Sequence, residues 1–143
     1  MDRILGYRSP NYVYRPPAFG APASKGGGGR PFGVLLKNYR LSDDIAFRFS
    51  NRGWAEWPLS AEKFAGWVNQ INGDGYICNL FMDYETFGEH QWEDTGIFKF
   101  LDALPEKIFD VNPGHNDFLS PTEALMKFDP VGVYDVPHVI SWA

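Results

Sequence analysis

The chain has 143 residues and a formal charge of −5, with 13 Lys and Arg against 18 Asp and Glu, and 44% of its residues are hydrophobic. This composition is typical of one globular domain, and an acidic balance without a Lys/Arg cluster disfavours nucleic acid as a partner. No apolar run approaches the roughly 18 to 20 residues of a transmembrane helix, so no membrane partner is expected. The first residues lack the apolar core of a signal peptide, which favours a cytoplasmic location, and the single cysteine, Cys78, excludes an internal disulfide.

Both ends of the chain have the pattern of interior sequence. Residues 4–8 read as the close of a buried segment, and residues 136–143 stop within a predicted strand. Because domains usually begin and end in polar sequence, we expect the chain to be a piece of something longer that lacks its true N-terminus.

A segment dense in Pro and Gly, residues 16–31, is predicted to be a long mobile loop. Its four consecutive glycines are followed by Arg30 and Pro31, where a phosphate-binding loop would have Gly-Lys-Ser/Thr. We therefore interpret the segment as a linker without a ligand.

Regular elements follow this loop. Residues 33–37 are predicted to form a short strand, and Ser42 with the two acids after it is predicted to cap a helix that begins near Ile45. A second helix is predicted to start at its Ser60 cap and to end at Asn72 and Gly73. Its apolar face is formed by residues at helical spacing, Phe64, Trp67, Val68 and Ile71.

The second half of the chain repeats the alternation. Residues 75–83 are continuously apolar, which predicts a strand that is covered on both faces, and Thr95 is predicted to cap a third helix. Ser120, Pro121 and Glu123 form a capping box with proline at the first helical position, which predicts a fourth helix. The order of elements, without a tight hairpin, favours an α/β architecture with parallel pairing, although three or four strands are too few to close a barrel of about eight.

The residues with the most evident chemistry lie in the segment 79–94. The predicted strand runs directly into acids, and the carboxyl ends of parallel strands face the ligand crevice of α/β proteins. Strand alternation predicts that Asp83 and Glu85 project to one side and Tyr84 to the other. The competing interpretation is an acidic loop between a strand and a helix.

The aromatic residues, 17% of the chain, suggest a sugar ligand, because Trp and Tyr offer flat faces with a polar edge. Trp54, Trp57 and Trp92 lie beside loop or acidic sequence and are candidate sugar platforms, whereas Trp67 is predicted to belong to the core.

The histidines and the cysteine have simpler interpretations. His115 lies in turn sequence and is predicted to be on a surface loop, and His138 is predicted to be a strand residue. Asp83 with Glu89 and His90 lacks the spacing of a known metal motif, so neither a metal nor another cofactor is expected. Cys78 is predicted to be buried and inert.

Residues 81–92 resemble the acid/base region of glycoside hydrolase family 57, and residues 6–16 and 37–50 are similar to flanking stretches of its α-amylase-type members. The resemblance implies an incomplete barrel of seven strands, of which residues 1–143 would be a part truncated at both ends. It also implies a retaining mechanism on the α-glucosidic bonds of starch-like polysaccharides or oligosaccharides.

The same resemblance implies roles for individual residues. Asp83, at the head of an Asp-x-Glu-x-Phe-Gly pattern, would be the general acid/base. Glu85 would support it. His90 stands where some members have Trp, which makes Trp92 a candidate for the stacking role.

The family's nucleophile is a Glu of an earlier strand, before the stretch at residues 6–10. Glu56 and Glu62 are the glutamates upstream of Asp83, and neither is predicted at a strand end. The chain is therefore expected to lack the nucleophile and to be inactive in isolation.

Two alternatives remain open from the residues alone. One is a carbohydrate-binding or scaffold fragment that uses Trp54, Trp57 and Trp92 without catalysis. The other is a metal-dependent deacetylase of related barrel architecture, with Asp83 and His90 as ligands.

Overall fold

The computed structural model of the chain describes residues 6, 8–17, 32–137 and 139. Most of the predicted Pro/Gly-rich loop, together with His138 and the end of the predicted terminal strand, lies outside these residues. The described helices are α1 (Tyr39–Asp43), a π-helix (Asp44–Arg48), α2 (Ala61–Asn69), α3 (Ile97–Asp110) and α4 (Pro121–Lys127). Two short strands, β1 (Val13–Tyr14) and β2 (Val34–Leu35), and 3-10 turns at Tyr84–Thr86 and Glu93–Thr95 complete the described elements.

The described sheet consists of β1 and β2, which pair antiparallel with Val13 opposite Leu35 and Tyr14 opposite Val34. The predicted parallel pairing is wrong for these two strands. Parallel pairing is expected where no tight hairpin turn joins two strands. A long connection, such as residues 15–33, also allows the second strand to run antiparallel to the first. An isolated parallel bridge joins Arg15 to Val133.

The first helix begins earlier than predicted. Asn38 is its N-cap, and the Asn38 side chain accepts a hydrogen bond from the Leu41 N–H at 3.3 Å. Ser42 is fully buried inside the helix, where its hydroxyl donates to the Asn38 carbonyl and accepts from the Phe81 N–H. The predicted capping role of Ser42 is therefore wrong, because its hydroxyl joins two segments instead.

The core lies between α2 and α3 and the end of the π-helix. The Ser60 hydroxyl accepts a hydrogen bond from the Lys63 N–H at 3.2 Å, which confirms Ser60 as the cap of α2. The Phe64 ring is edge-to-face with Phe100 at 5.7 Å, and Trp67 packs against the same core, as predicted. The buried members of this core are Ile45, Phe49, Leu59, Ala61, Phe64, Ile97 and Phe100.

Residues 75–83 do not form the predicted strand. They lie beside the turn at Asn11 and beside α1, and not beside another strand. Their backbone groups therefore form scattered hydrogen bonds with these neighbours and no regular ladder. Gly75 approaches Asn11 so closely that a Cβ at Gly75 would lie 2.9 Å from the Asn11 carbonyl oxygen. The bonds that hold the segment are Tyr76 N–H to Asn11 O at 2.8 Å, Asn38 N–H to Asn79 O at 2.8 Å and Phe81 N–H to Ser42 Oγ at 3.2 Å.

The two C-terminal helices match their predicted positions. The N-cap of α3 is Gly96, with φ of +84°, and not Thr95 as predicted, because the Thr95 hydroxyl donates to the Trp92 carbonyl at 2.6 Å. The capping box of α4 is confirmed, with Ser120 and Glu123 bonded reciprocally. The described residues thus have a mixed α/β structure of several helices and few strands, and among them no helix is long and apolar enough to cross a membrane.

Candidate active site

Asp83 is the last residue of the segment 75–83 and directly precedes the first 3-10 turn. Its backbone is extended, with φ −73° and ψ 150°, and the turn Tyr84–Thr86 follows at once. The strand alternation from which we predicted the directions of Asp83, Tyr84 and Glu85 therefore does not continue through these residues. Their arrangement is set by the turn.

Residues 83–92, named here the acidic loop, are folded on themselves by backbone hydrogen bonds. Gly88, with φ of +109°, supplies the reversal that a residue with a side chain would rarely adopt. The closing bonds are Thr86 N–H to Asp83 O, Phe87 N–H to Tyr84 O, His90 N–H to Glu85 O, Gln91 N–H to Thr86 O and Gly88 N–H to Gln91 O, all between 2.9 and 3.1 Å. The loop is accordingly a compact unit, and each of its side chains lies on a definite side of it.

The acidic loop divides into an exposed side and a buried side. Tyr84 is 95% exposed and Trp92 is 65% exposed. Three further candidate residues are also exposed: Asp83, Glu85 and His90. The structure therefore brings four of the predicted site residues, Asp83, Glu85, His90 and Trp92, to one exposed loop. Sequence reasoning did not assign a site role to Tyr84, although an aromatic residue directly after a candidate acid is a usable signal.

The buried side of the loop is anchored by Gln91, which sequence reasoning also did not select. Its side chain is in the interior, and the Nε2 group donates to the Ala46 carbonyl of the π-helix at 2.9 Å. The Gln91 Oε1 atom is buried without a hydrogen-bond partner. No sequence pattern distinguishes this Gln from an exposed one between His90 and Trp92.

The predicted sugar platforms do not lie together. Trp54 is half-buried and packs edge-to-face on Trp67 with ring centroids 6.1 Å apart, while the Arg48 guanidinium lies 5.8 Å from the Trp54 ring. Trp57 is 43% exposed, with the Arg52 guanidinium 5.9 Å from its ring. These two tryptophans belong to the region between the π-helix and α2, whereas Trp92 belongs to the acidic loop.

Trp54 lines an open, polar cleft of about 910 Å³ between α1, the π-helix and α2. Amide, carboxylate and guanidinium groups surround the indole, which is a donor and acceptor set suited to sugar hydroxyls. Asp83 is not among the lining residues, which include Asn38, Asp44, Arg48, Glu56 and Gln70. We call this feature the Trp54 cleft.

The two glutamates upstream of Asp83 have structural partners. Glu56 forms an ion pair with Lys63, with 2.7 Å between Oε2 and Nζ. Glu62 lies in the first turn of α2, where a hydrogen bond with its own backbone N–H and then one with the Ser60 hydroxyl lower its pKa. Neither glutamate is part of the acidic loop.

Cys78 lies at a separate apolar cavity of about 230 Å³, between α2, α3 and the segment 75–83. Cys78 is half-buried and not fully buried as predicted. Its burial nevertheless raises the pKa of the thiol to about 11, which agrees with the predicted unreactive cysteine. His115 is exposed in a turn, as predicted. Among the described residues, no group of three or more His, Cys, Asp and Glu side chains could hold a metal ion.

Comparisons with known proteins agree with the motif in the acidic loop. The family model described as glycosyl hydrolase family 57 matches residues 1–137. A curated relative from Methanocaldococcus jannaschii, named "Putative alpha-amylase", is 43% identical over 145 residues, a match that covers 100% of the present chain and 28% of the relative. The chain thus spans little more than a quarter of that relative's length. No solved structure matches the chain.

Proposed function

The chain belongs to glycosyl hydrolase family 57, and we propose that it supplies part of the catalytic domain of a retaining glycosidase that acts on α-glucans. The name of the M. jannaschii relative supports starch-like α-1,4-linked glucans as the substrate class. The single observation that carries the proposal is the exposed Asp83 at the head of the acidic loop, in the motif Asp-x-Glu-x-Phe-Gly.

In this proposal Asp83 is the general acid/base. A retaining glycosidase needs one carboxyl group that protonates the leaving glycosidic oxygen and then, as a carboxylate, activates the water that attacks the glycosyl-enzyme intermediate. The turn after Asp83 leaves its side chain exposed and free to approach a bound polymer. The second carboxylate, the nucleophile, would come from outside this chain, since Glu56 is paired with Lys63 and Glu62 lies in the first turn of α2, beside the Ser60 cap.

The exposed side of the acidic loop would also hold the sugar nearest to the reacting bond. Glu85 and His90 offer hydrogen-bonding groups there, and Trp92 offers an apolar face for a sugar ring. Trp54 and Trp57 lie in a different part of the surface. We propose that the Trp54 cleft contacts more distant sugars of the same polymer.

The role of Asp83 can be tested in a chimera in which this chain replaces the matching segment of the M. jannaschii protein. We expect Asp83→Asn to lower kcat on maltoheptaose by about 10²- to 10⁴-fold, the usual contribution of a general acid. A maltoside with a 2,4-dinitrophenolate leaving group needs no protonation. Its kcat/KM, which reports the first irreversible step, should therefore change little.

Two controls make this test specific. Asp129→Asn changes an exposed Asp beyond α4 and should leave both substrates unaffected. Trp92→Ala should raise KM on maltoheptaose. It should not produce the difference between maltoheptaose and the 2,4-dinitrophenyl maltoside that we expect for Asp83→Asn. The proposal is wrong if Asp83→Asn leaves the hydrolysis of maltoheptaose intact, or if the chimera is inactive where the M. jannaschii protein is active.

A further inference from the structure

The acidic loop is attached to the core through few side chains. Its buried side is formed by Thr86 and Gln91, which are 4% and 2% exposed, and by the half-buried Phe87, whose ring packs against the core. The side-chain amide of Gln91 makes a hydrogen bond that leaves the loop and ends on another element. Phe87 thus gives the loop an apolar contact with the core, and Gln91 gives it a directional one, which can fix the loop in one position.

The acceptor of this bond lies in an unusual element. Ala46 belongs to the last turn of the π-helix Asp44–Arg48, and both Ile45 and Ala46 are buried. The final turn of a helix has carbonyl groups without intrahelical partners, and a buried carbonyl without a partner is costly. Because the Gln91 Nε2 group lies 2.9 Å from the Ala46 oxygen, it satisfies an acceptor that water does not reach.

The same π-helix also forms a wall of the Trp54 cleft. Asp44 and Arg48 line this cleft, and the Arg48 guanidinium lies over the Trp54 ring. Ala46, between them in sequence, is turned to the interior and holds Gln91. One short helix is therefore in contact with the cleft through two residues and with the acidic loop through a third.

We propose that Gln91 is a positioning residue: its carboxamide fixes the acidic loop on the π-helix and so sets where the Asp83 carboxyl group stands relative to the Trp54 cleft. This inference rests on the proposed function, because it takes Asp83 to be the acid/base. Gln91 does not touch substrate, since it is buried.

Because Gln91 Oε1 has no hydrogen-bond partner, replacing Gln91 can change the position of the loop while changing the stability of the chain little. Gln91→Leu removes the bond to Ala46, but it also removes a buried acceptor that has no partner, and these two effects oppose each other. We therefore expect the melting temperature to change by no more than about 3 °C. Gln91→Met, which has no branch and a length close to that of Gln, is the second variant if the leucine does not fit.

The test uses the same chimera and the same two substrates. Gln91→Leu should lower kcat on maltoheptaose by about 10- to 100-fold, the size of effect that a displacement of about 1 Å causes, with KM changed less than about twofold. The 2,4-dinitrophenyl maltoside should lose less than about twofold in kcat/KM, since its leaving group does not need the displaced acid. A purely structural defect would lower the rate of hydrolysis of both substrates by the same factor.

Asn116→Leu is the matched control. Asn116 donates its side-chain amide to the Ile108 carbonyl of α3 at 2.9 Å and accepts from the Asn72 amide at 3.0 Å. This variant therefore deletes the same kind of bond, and a second one, away from the acidic loop. It should leave the kcat of both substrates unchanged. Equal losses on both substrates for Gln91→Leu and Gln91→Met, or no loss at all, would overturn the positioning role.

The two proposals fail separately. If Asp83→Asn has no effect, the acid/base assignment is wrong whatever Gln91 does. If Asp83→Asn lowers kcat as expected and the two Gln91 variants do not, the acid/base assignment stands and Gln91 does not position it.

Discussion

Cys78 is a residue whose environment gives it a measurable property. Its thiol lies at the apolar cavity beside Phe64, Leu104 and Ile108, and burial raises its pKa to about 11. A thiol that ionises less readily in the folded chain than in the unfolded chain stabilises the fold at low and neutral pH. This contribution should be complete below the ordinary pKa of about 9 and should be lost as the pH rises to about 11.

We therefore expect the stability of the parent chain to fall more steeply than that of Cys78→Ala between about pH 9 and pH 11. The measurement is the melting temperature of both chains at several pH values across this window. Alanine keeps the site apolar and removes the titrating group. Parallel curves for the two chains would show that the thiol is accessible to water in the folded state.

Single residues differ in how far their roles follow from the sequence. Asp83 can be selected as a candidate from the sequence because an acid at the end of an apolar run, inside a long motif, is a local pattern. Gln91 cannot be selected in this way, because its proposed role depends on the Ala46 carbonyl, which is 45 residues away along the chain. Ser42 shows the same limit. Its sequence neighbours predict a helix cap, but its hydroxyl accepts a hydrogen bond from the distant Phe81 N–H.

The helix α2 supplies two of the buried core residues, Ala61 and Phe64. Ser60 caps its first turn, and Phe64 and Trp67 carry its apolar face onto α3. The cap bond runs from the Lys63 N–H to the Ser60 hydroxyl and satisfies one of the amide groups that every helix start leaves without a partner.

Ser60→Ala is expected to lower the free energy of unfolding by about 1 kcal/mol, which is the usual effect of losing an N-cap side chain. The measurement is chemical denaturation of the 143-residue chain, followed by circular dichroism. Ser50→Ala is the control, because Ser50 is an exposed turn residue. A loss of the same size in the control would mean that the cap of α2 contributes nothing specific.

Helices were predicted better than strands, and the reason is physical. The caps of α2 and α4 are contacts within four residues, so the sequence alone determines them. A strand needs a partner, and the partner of residues 75–83 cannot be inferred from their own apolar pattern. The segment has its hydrogen-bond partners at Asn11, Asn38 and Ser42, which are not in strands, so it does not join the described sheet.

At the scale of the whole molecule, the described surface carries many large apolar side chains. Phe47, Phe81, Phe98 and Phe118 are among those that are more than two-fifths exposed. Apolar surface marks a contact with other protein where it is continuous, as it is at Phe109 and Phe118, whose exposed rings have centroids 5.5 Å apart. It agrees with a chain that spans 28% of the length of its M. jannaschii relative.

The 143-residue chain alone is expected to show no hydrolysis of starch, because retention needs two carboxyl groups about 5 Å apart on opposite sides of the scissile bond. Only Asp83 is proposed here for that pair. A reducing-sugar assay on the purified chain, beside the chimera at equal concentration, checks this expectation. Hydrolysis by the purified chain that disappears in Asp83→Asn would show that this chain holds its own nucleophile.

The edge-to-face pair of Trp54 and Trp67 gives the molecule an optical property. Two indole rings with centroids 6.1 Å apart and planes inclined by 69° couple their electronic transitions, and the coupled pair absorbs left and right circularly polarised light differently. The sign of this couplet is fixed by the handedness of the pair. The wall of the Trp54 cleft therefore carries a built-in chiral chromophore, which reports on the cleft without a label and without a bound sugar.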